Sequence, residues 1–445
     1  MQKTLSLELV GCLSDKGFSL DELVVRVKDL FEQEGMAGVV GLLLSLFDEE
    51  LALRLTLGGG SWRPKPCCRE PKYALHSRDA RRFRTSVGEV RIAWRRLRCV
   101  RCGKSVVPLR EFLQLPKYQS KTAELEQAVA EVVSEQSYRR TSRHLALIGE
   151  IPVPKSTAHR WVMESDCDEL KTDGKVVDVL FADGTGYKRR PDPTTKQNNR
   201  GEVRVALGVT SDGTVVSFGA WSGESWEEIG QAIRKNTVDV EPAAKLLVSD
   251  GEAALAEGLA HVANAQQRSH WHTVHYLDRT MWKDKATKSE RRAMQTRLAG
   301  VLGIELPAED FKHVPEEDKA CIEQKTRQAE DKIDELIGEL LGKGYGEAAA
   351  YVRNAKDRLF TYVRFWLATG LISPRASSMI ERIMREIGRR LKRIAFGWSE
   401  RGAAKMARII IKRITTAGEW QAYWNDRLRI QDNVILFYRG IKVAS

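Results

Sequence analysis

The alternation of apolar and polar positions between residues 176 and 264 predicts a sheet with flanking helices. The run VVDVLF, which begins at Val176, has the β-branched and aromatic residues typical of a buried strand. Residues 202–221 form two alternating segments around Ser211-Asp212-Gly213, which predicts a hairpin. The pattern then predicts a helix over residues 225–235, a strand over 245–249 and a helix over 252–264. The predicted order is three antiparallel strands, helix, strand, helix.

The pattern before this segment is helical, then β, then helical again. Residues 18–56 predict helices, the first capped by Ser19, and residues 61–108 alternate like a small β module. Three short helices follow, over residues 122–134, 138–147 and 156–162, the third capped by Ser156. This layout is typical of a helix-turn-helix DNA reader, although a three-helix scaffold would give the same pattern. The basic residues expected on its surface are Arg139, Arg140, Arg143, Lys155, His159 and Arg160.

The acidic stretch 164–173 is interpreted as a linker into the sheet domain. From about residue 278 to 369 the pattern changes to long charged helices, interpreted as a helical insertion, with a separate coiled-coil arm as the alternative. A further amphipathic helix carries Glu381, and a basic helix over residues 400–414 and a short strand, VILFY, end the chain.

Composition and charge narrow the class of protein. The 445 residues are 42% hydrophobic, enough for two to four domains, and no apolar stretch is long enough to span a bilayer. We therefore expect a soluble cytoplasmic protein, nucleoid-associated if it binds DNA. The net charge of +12 fits a polyanionic partner. It is concentrated in residues 78–110 and 382–413, each with eleven basic residues against two acids.

Four of the seven cysteines are candidates for a zinc site. Cys99 and Cys102 form a CxxC followed by glycine, a spacing that lets two thiolates hold one tetrahedral ion. Cys67 and Cys68 are adjacent, and in extended chain their side chains would point to opposite sides, which leaves His76 as an alternative fourth ligand. A metal-free ribbon remains the other interpretation.

Two aspartates end predicted strands. Asp183 is followed by Gly184 and Gly186, which are expected to turn the backbone away, and Asp250 ends the strand KLLVSD. Each Asp-Gly pair alone predicts only a turn. Together with Glu381 they form a set of hard oxygen ligands, which suits two Mg²⁺ or Mn²⁺ ions better than zinc.

Five motifs in order resemble a family. They are ADGTG at Asp183, GESWEEI over residues 223–229, LLVSDG at Asp250, QRSHWH over residues 267–272 and SSMIERIMREI around Glu381. From about residue 60 onward the chain resembles a bacterial insertion-sequence DDE transposase of the Mutator-like superfamily. The 66 residues between the aspartates and the 130 before Glu381 fit that family, whose helical insertion precedes its glutamate.

This resemblance implies that Asp183, Asp250 and Glu381 are the catalytic triad of an enzyme that binds transposon ends and cuts and joins DNA. It also implies transposon-end and target DNA as partners, with a homodimer or larger assembly, and adds Arg385 and Arg389 to the expected DNA contacts. A catalytically inactive or domesticated DNA-binding protein and an RNase H-like nuclease without strand transfer remain alternatives. Ser269 stands where the family often has cysteine, three residues before His272, which leaves an accessory metal role for His270, His272 and His275 open.

The expected fold is α/β, with an RNase H-like core preceded by a zinc-ribbon-like module and a helix-turn-helix-like domain. The predicted domains are 1–60 (helical), 61–115 (zinc-ribbon-like), 116–170 (helix-turn-helix-like), 171–277 (first part of the core), 278–370 (helical insertion) and 371–445 (core helix with the third acid and a basic tail).

Overall fold

The structure is a computed structural model. It describes residues 35–58, 62–148, 151, 153–170, 177–191, 199–236, 243–392, 396–428, 436–438 and 441–444. The chain divides into two compact units, the first formed by Met1–Ser165 and Gln421–Ser445 and the second by Asp166–Trp420. The predicted helix capped by Ser19, the start of the strand at Val176 and the helix position Ile394 lie outside the described residues.

The first unit contains a small antiparallel sheet. Strands β1 (Tyr73–Thr85) and β2 (Gly88–Cys99) form a long hairpin, and the two-residue strand β3 (Ser105–Val106) pairs with the end of β2. Helix α1 (Gly35–Leu57) packs along β2, and a short helix, α2 (Pro108–Phe112), follows the sheet. The β module that the alternation predicts is therefore present.

Helix α1, whose role the sequence left open, protects part of the β2 edge. The carboxylate of Asp48, which is fully buried, accepts a hydrogen bond from the backbone N–H of Arg95 at 3.0 Å. It also forms an ion pair with the Arg95 guanidinium. An unpaired strand edge buried without such a partner would be costly. Strand β3 pairs only with Leu97 and Arg98, so it does not reach the N–H of Arg95, and Asp48 accepts that hydrogen bond instead.

Three helices complete the described core of this unit. They are α3 (Ala123–Glu135), α4 (Tyr138–Ile148) and α5 (Lys155–Glu164). Thr122 caps α3 by accepting from Leu125 N–H. The prediction that Ser156 caps the third helix is wrong, because the helix begins one residue earlier and Pro154 occupies the cap position, where its fixed φ suits a helix start.

The second unit is built on a five-stranded mixed sheet. Its strands are β4 (Val177–Lys188), β5 (Arg200–Val209), β6 (Val215–Trp221), β7 (Ala244–Ser249) and β8 (Ala263–Arg268), in spatial order β6-β5-β4-β7-β8. β4, β5 and β6 are antiparallel, whereas β7 and β8 run parallel to β4. The predicted hairpin is confirmed, with Gly213 at φ +81° in its turn.

The predicted helix over residues 252–264 is wrong in its second half. Helix α7 (Ala253–Gly258) is short, and residues 263–268 form strand β8 instead. A Cβ on Gly258 would lie 2.7 Å from the Trp226 Cβ, so this glycine allows α7 to pack closely against its neighbour. The chain then turns into β8, which pairs with the open edge of β7 from Ala244 to Ser249. Satisfying that edge outweighs the helical periodicity of the segment.

Helices cover both faces of this sheet. Leu180 and Ala182 of β4 belong to a core with α7 and with α6 (Trp226–Asn236). Val179 and Phe181, whose side chains point to the other face of the sheet, are also buried. Helix α13 (Ser378–Lys392) packs on β4, and helix α14 (Glu400–Thr415) packs on β6. The arrangement is a three-layer sandwich within this unit.

The region predicted as a helical insertion packs as one body. Its helices are α8 (His270–Lys283), α9 (Lys288–Leu302), α10 (Glu316–Gly342), α11 (Gly346–Ala355) and α12 (Thr361–Thr369), which share one hydrophobic core. Gln267 of β8 bonds this body through the backbone of Leu359 and Tyr362. These contacts attach the helices to the edge of the sheet.

The stretch interpreted as an acidic linker is partly structural. Asp168 is buried and pairs with Lys405 at 2.9 Å and Arg408 at 2.8 Å, both on α14. The elements after α14 are α15 (Ala417–Leu428), β9 (Leu436–Tyr438) and β10 (Ile441–Ala444). Across the described residues, no helix is both long enough and apolar enough to cross a membrane.

Candidate functional site

Asp183 and Asp250 lie at the same end of two neighbouring parallel strands. β4 and β7 pair up to Phe181 opposite Val248, and both aspartates lie two residues beyond these partners. Asp183 is nevertheless inside its strand, because β4 continues to Lys188 in register with β5. The pairing with the parallel strand β7 therefore ends before Asp183, whereas the pairing with the antiparallel strand β5 continues beyond it.

The two glycines after Asp183 do not make the predicted turn. Gly184 and Gly186 are strand residues that pair with Arg204 and Glu202. A Cβ on Gly184 would lie 2.5 Å from the Glu202 Oε1 atom. Gly184 is therefore needed for clearance beside the Glu202 side chain, and its N–H donates to the Asp183 Oδ1 at 2.7 Å.

Asp250 does occupy a turn. Gly251 follows at φ +85°, a conformation that favours glycine, and the N–H of Glu252 donates to the Asp250 Oδ1 at 3.0 Å. The Arg268 guanidinium fills the space beside Gly251, where a Cβ would lie 2.5 Å from Nε. The turn thus fixes the Asp250 carboxylate through the backbone N–H of Glu252.

Glu381 lies in the first turn of α13, on the helix that packs over β4. Its Oε1 accepts a hydrogen bond from Ser377 Oγ at 3.0 Å and lies 4.0 Å from His272 Nδ1. Glu386, the other acid on this helix, pairs instead with Arg389 at 2.6 Å. Arg385 and Arg389 are exposed.

The charges of these carboxylates act on Asp183, although the oxygen atoms of Asp183, Asp250 and Glu381 do not all lie within 4.8 Å of one another. Burial, followed by the charge of Asp250, raises the pKa of Asp183 to about 7, and Glu381 and Glu202 add to the rise. The hydrogen bond from Gly184 opposes the shift. Charges of one sign held together in a partly buried site destabilise each other unless a cation compensates them. All of the contributing side chains offer the hard oxygen ligands that Mg²⁺ and Mn²⁺ prefer, so the donor set fits such an ion.

Two further acids near this site were not among the sequence candidates. The side chain of Glu202 on β5 lies over Gly184 and pairs with Arg204 at 3.0 Å. Glu252 follows Asp250, and burial raises its pKa, with Glu202 and Asp250 contributing. Glu202 pairs with Gly186, three residues after Asp183, so its side chain lies on the opposite face of the sheet from that of Asp183, and no local sequence pattern marked it.

The three histidines of the HWHTVH segment do not converge on one point. His270 contacts the Leu359 carbonyl oxygen at 2.7 Å, and burial lowers its pKa to about 4. His275 stacks on Trp271. Only His272 lies near the carboxylates, and burial lowers its pKa although Asp250 and Glu381 oppose this.

The four predicted cysteines form a compact cluster in the first unit. The ligand atoms of Cys67, Cys68, Cys99 and Cys102 all lie within 4.8 Å of one another, the single His, Cys, Asp or Glu group of three or more that meets this limit among the described residues. The Sγ atoms of Cys67 and Cys102 are 3.4 Å apart, and those of Cys68 and Cys99 are 3.8 Å apart. Tetrahedral zinc with Zn–S bonds of about 2.3 Å needs sulfur atoms about 3.8 Å apart.

This cluster corrects the expectation that adjacent cysteines point to opposite sides. Both Cys67 and Cys68 contribute because their segment is not an extended strand, and the alternative ligand His76 is exposed and outside the group. The backbone N–H of Cys102 lowers the pKa of Cys99 to about 6, whereas burial raises that of Cys68 to about 12. Gly103, at φ +74°, closes the turn after Cys102.

We expect purified full-length protein to contain about one equivalent of zinc, because four clustered thiols suit a structural site. Cys99→Ser or Cys102→Ser should lose the metal. Cys321→Ser, an exposed thiol on α10, is the matched control and should retain it. Elemental analysis measures the outcome, and wild-type protein that never holds zinc would show that the cluster is metal-free.

The basic residues assigned to the three-helix region lie on its surface. Arg139, Arg140, Arg143, Lys155, His159 and Arg160 are all exposed on α4 and α5. The hairpin adds a second basic face, on which Arg82 lies directly opposite Arg91. Directly opposed like charges destabilise a sheet, and Glu89 beside both arginines offsets this only in part.

Comparisons with known proteins give little. No family model matches the chain, and no curated protein matches it. Among solved structures, the Drosophila P element transposase strand transfer complex matches with 12% sequence identity and a TM-score of 0.25, over 69% of this chain and 81% of that one. At this TM-score the likeness carries no argument about this chain.

Proposed function

We propose that this chain is a DDE-type DNA transposase of the bacterial insertion-sequence, Mutator-like kind, with an RNase H-like core. The observation that carries the proposal is the placement of Asp183 and Asp250 at one end of two adjacent parallel strands, with Glu381 close enough to raise the pKa of Asp183. The sheet order and the helices on both faces support it.

In this proposal, Asp183, Asp250 and Glu381 hold two Mg²⁺ or Mn²⁺ ions, which supply Lewis-acid chemistry at a phosphodiester. The protein contributes rigidity. Asp183 is held by its pairing with β5, Asp250 by its turn, and Glu381 by its place in the first turn of the helix that packs on β4. Water and a 3′-hydroxyl could use this arrangement equally, so a nuclease without strand transfer is the second candidate.

The proposed DNA contacts lie in the basic surfaces. Arginines and lysines on α4, α5 and the hairpin would neutralise phosphates of transposon-end DNA, and Arg385 and Arg389 would approach the strand at the acid site. Two ends must be handled together, which implies a dimer or larger assembly. An intact cysteine cluster would hold the hairpin that presents part of this surface.

The test is cleavage and joining of DNA from the ends of the element that encodes the chain. We expect activity with Mg²⁺ or Mn²⁺ and none in excess chelator. Ca²⁺, with its longer and looser coordination, should support DNA binding with little turnover. Binding should weaken steeply with salt, since each neutralised phosphate adds about 0.9 to the log–log slope.

Full activity in chelator would contradict the proposal. Cleavage without joining of a supplied 3′-hydroxyl end would favour the nuclease. Metal-independent binding with no chemistry under any of these conditions would favour an inactive DNA-binding protein.

A further inference from the structure

A buried group of polar side chains lies directly behind Glu381. Its members are Ser269, His272 and Ser377, with exposed fractions of 0%, 7% and 1%. Their polar atoms are within hydrogen-bond distance of one another: Ser377 Oγ and Ser269 Oγ are each 3.2 Å from His272 Nδ1, and the two hydroxyl oxygens are 3.3 Å apart. Three polar groups buried at one point call for an explanation beyond packing.

This group connects the elements that carry two of the proposed ligands. Ser269 follows β8, and its backbone N–H donates to the carbonyl of Ser249, the residue before Asp250, at 2.8 Å. Ser377 precedes α13, and its carbonyl accepts the N–H of Glu381 at 3.0 Å. The contacts between Ser269 and Ser377 therefore tie the end of β7 to the first turn of α13.

The available protons make Glu381 the acceptor at the end of this chain. The Ser377 hydroxyl has a single hydrogen, and the Glu381 carboxylate has none to offer, so Ser377 must donate in their 3.0 Å contact. Ser377 Oγ can then accept from His272 Nδ1–H. If Nδ1 carries no proton, it can accept from the Ser269 hydroxyl. In either tautomer the bond to Glu381 Oε1 is preserved.

The hydroxyl of Ser377 contacts other groups than those usual for a serine just before a helix. A serine at that position commonly accepts from a backbone N–H of the first turn. Here its hydroxyl contacts three side chains, Ser269, His272 and Glu381. The hydrogen bond to one oxygen of Glu381 restricts rotation of the carboxylate and leaves the second oxygen for a cation.

We propose that Ser377 is a positioning residue for the metal site, supported by His272 and Ser269, which would orient Glu381 as one of the ligands of that site. The inference rests on the proposed function. Residues that orient metal ligands from behind typically change metal affinity by about 10 to 100-fold when they are removed.

Binding of Mn²⁺ to the full-length protein, measured by calorimetry without DNA, tests this directly. Ser377→Ala should weaken Mn²⁺ binding by about 10 to 100-fold. Ser373→Ala is the matched control, because Ser373 is in the same segment, is 3% exposed, and its hydroxyl has no hydrogen-bond partner among the described residues. It should leave the affinity unchanged.

The role of His272 can be tested with a matched pair of variants. His272→Phe keeps a ring that can stack on Tyr276 but removes Nδ1, and should weaken Mn²⁺ binding. His275→Phe, on the exposed face of the same helix, should not. Restoring a hydroxyl with Ser377→Thr should recover part of the lost affinity.

Two measurements separate positioning from a merely structural role. Thermal melts in chelator report whether a variant is folded; a structural serine would lower the melting temperature without changing the Mn²⁺ affinity of the folded protein. In a Glu381→Gln background, Ser377→Ala should weaken Mn²⁺ binding by less than about a further twofold, because the effects of residues that act through one another are not additive. A full additional effect there, or equal affinities for Ser377→Ala and Ser373→Ala, would overturn the inference.

Failure of the inference is distinct from failure of the proposed function. If Asp183→Asn and Glu381→Gln weaken Mn²⁺ binding but Ser377→Ala does not, only the positioning role is wrong. If Asp183→Asn and Glu381→Gln bind Mn²⁺ like wild type, both are wrong.

Discussion

Asp183→Asn should abolish strand cleavage and joining while stabilising the metal-free protein. The loss of activity should exceed the roughly 100-fold expected for a residue that only supports a ligand, because Asp183 is proposed to bind the ions itself. The gain in stability follows from its surroundings, since burial and the charges of Asp250, Glu381 and Glu202 all disfavour its ionised form. A neutral amide of the same shape removes this cost.

The stabilising effect should depend on pH with a definite sign. The pKa of Asp183 rises from 3.8 to about 7 on folding, which corresponds to on the order of 4 kcal/mol. A carboxyl whose folded pKa is raised contributes most to stability below its unfolded pKa, and that contribution is lost as pH rises toward 7. Wild type in chelator should therefore become less stable between about pH 4 and pH 7, and Asp183→Asn should flatten this dependence.

Asp178→Asn is the matched control for both measurements. Asp178 is on the same strand, five residues earlier, and pairs with Lys245 at 2.7 Å away from the carboxylates. It should retain activity and the pH dependence of stability. Asp250→Asn should be inactive like Asp183→Asn, with DNA affinity nearly unchanged in both. More than a few per cent of activity in either variant would remove that residue from the set of metal ligands.

In the second unit, the sequence predicted which strands and helices are present better than it predicted where they end. Apolar runs located β4 and β7, which are buried on both faces, and alternation located the hairpin of β5 and β6. It failed at Gly184 and Gly186, whose presence suggested a turn although they serve clearance within a strand. Side-chain crowding from a partner strand cannot be read from one strand's own sequence.

Other differences have the same origin in tertiary contact. Residues 263–268 became a strand because the edge of β7 needed a partner. Asp168, expected in a linker, is buried by two cations supplied from α14, more than 230 positions later. Cys67 and Cys68 converge because the chain around them is irregular. Local pattern contains none of this long-range information.

The candidate site was partly accessible from sequence. Two acids after apolar strands and one on an amphipathic helix could be proposed because strand ends and helix faces are local features. Glu202, Ser377 and His272 could not be assigned a place, since their proximity depends on how β5, α8 and α13 pack around β4. On α13, which carries the third acid, periodicity predicted the buried face but not which glutamate belongs to the site.

Positions 380, 383, 384, 387, 391 and 394 form one apolar stripe on that helix, and the five that are described are all buried. The two glutamates flank the stripe, so periodicity could not choose between them. Arg390, four residues after Glu386, is buried, with its guanidinium 4.7 Å from the Trp398 ring centre. Arg389 is the cation that pairs with Glu386.

Glu381→Gln should therefore be inactive, and Glu386→Gln at most mildly impaired. Glu381 contacts Ser377, lies beside His272 and raises the pKa of Asp183, whereas Glu386 forms a surface pair with Arg389 worth about 0.2–1 kcal/mol. A cleavage assay with Mg²⁺ compares the two variants on one helix, with the same chemical change. Loss of activity in Glu386→Gln with activity retained in Glu381→Gln would overturn the assignment of the third acid and, with it, the orientation of α13 toward the two aspartates.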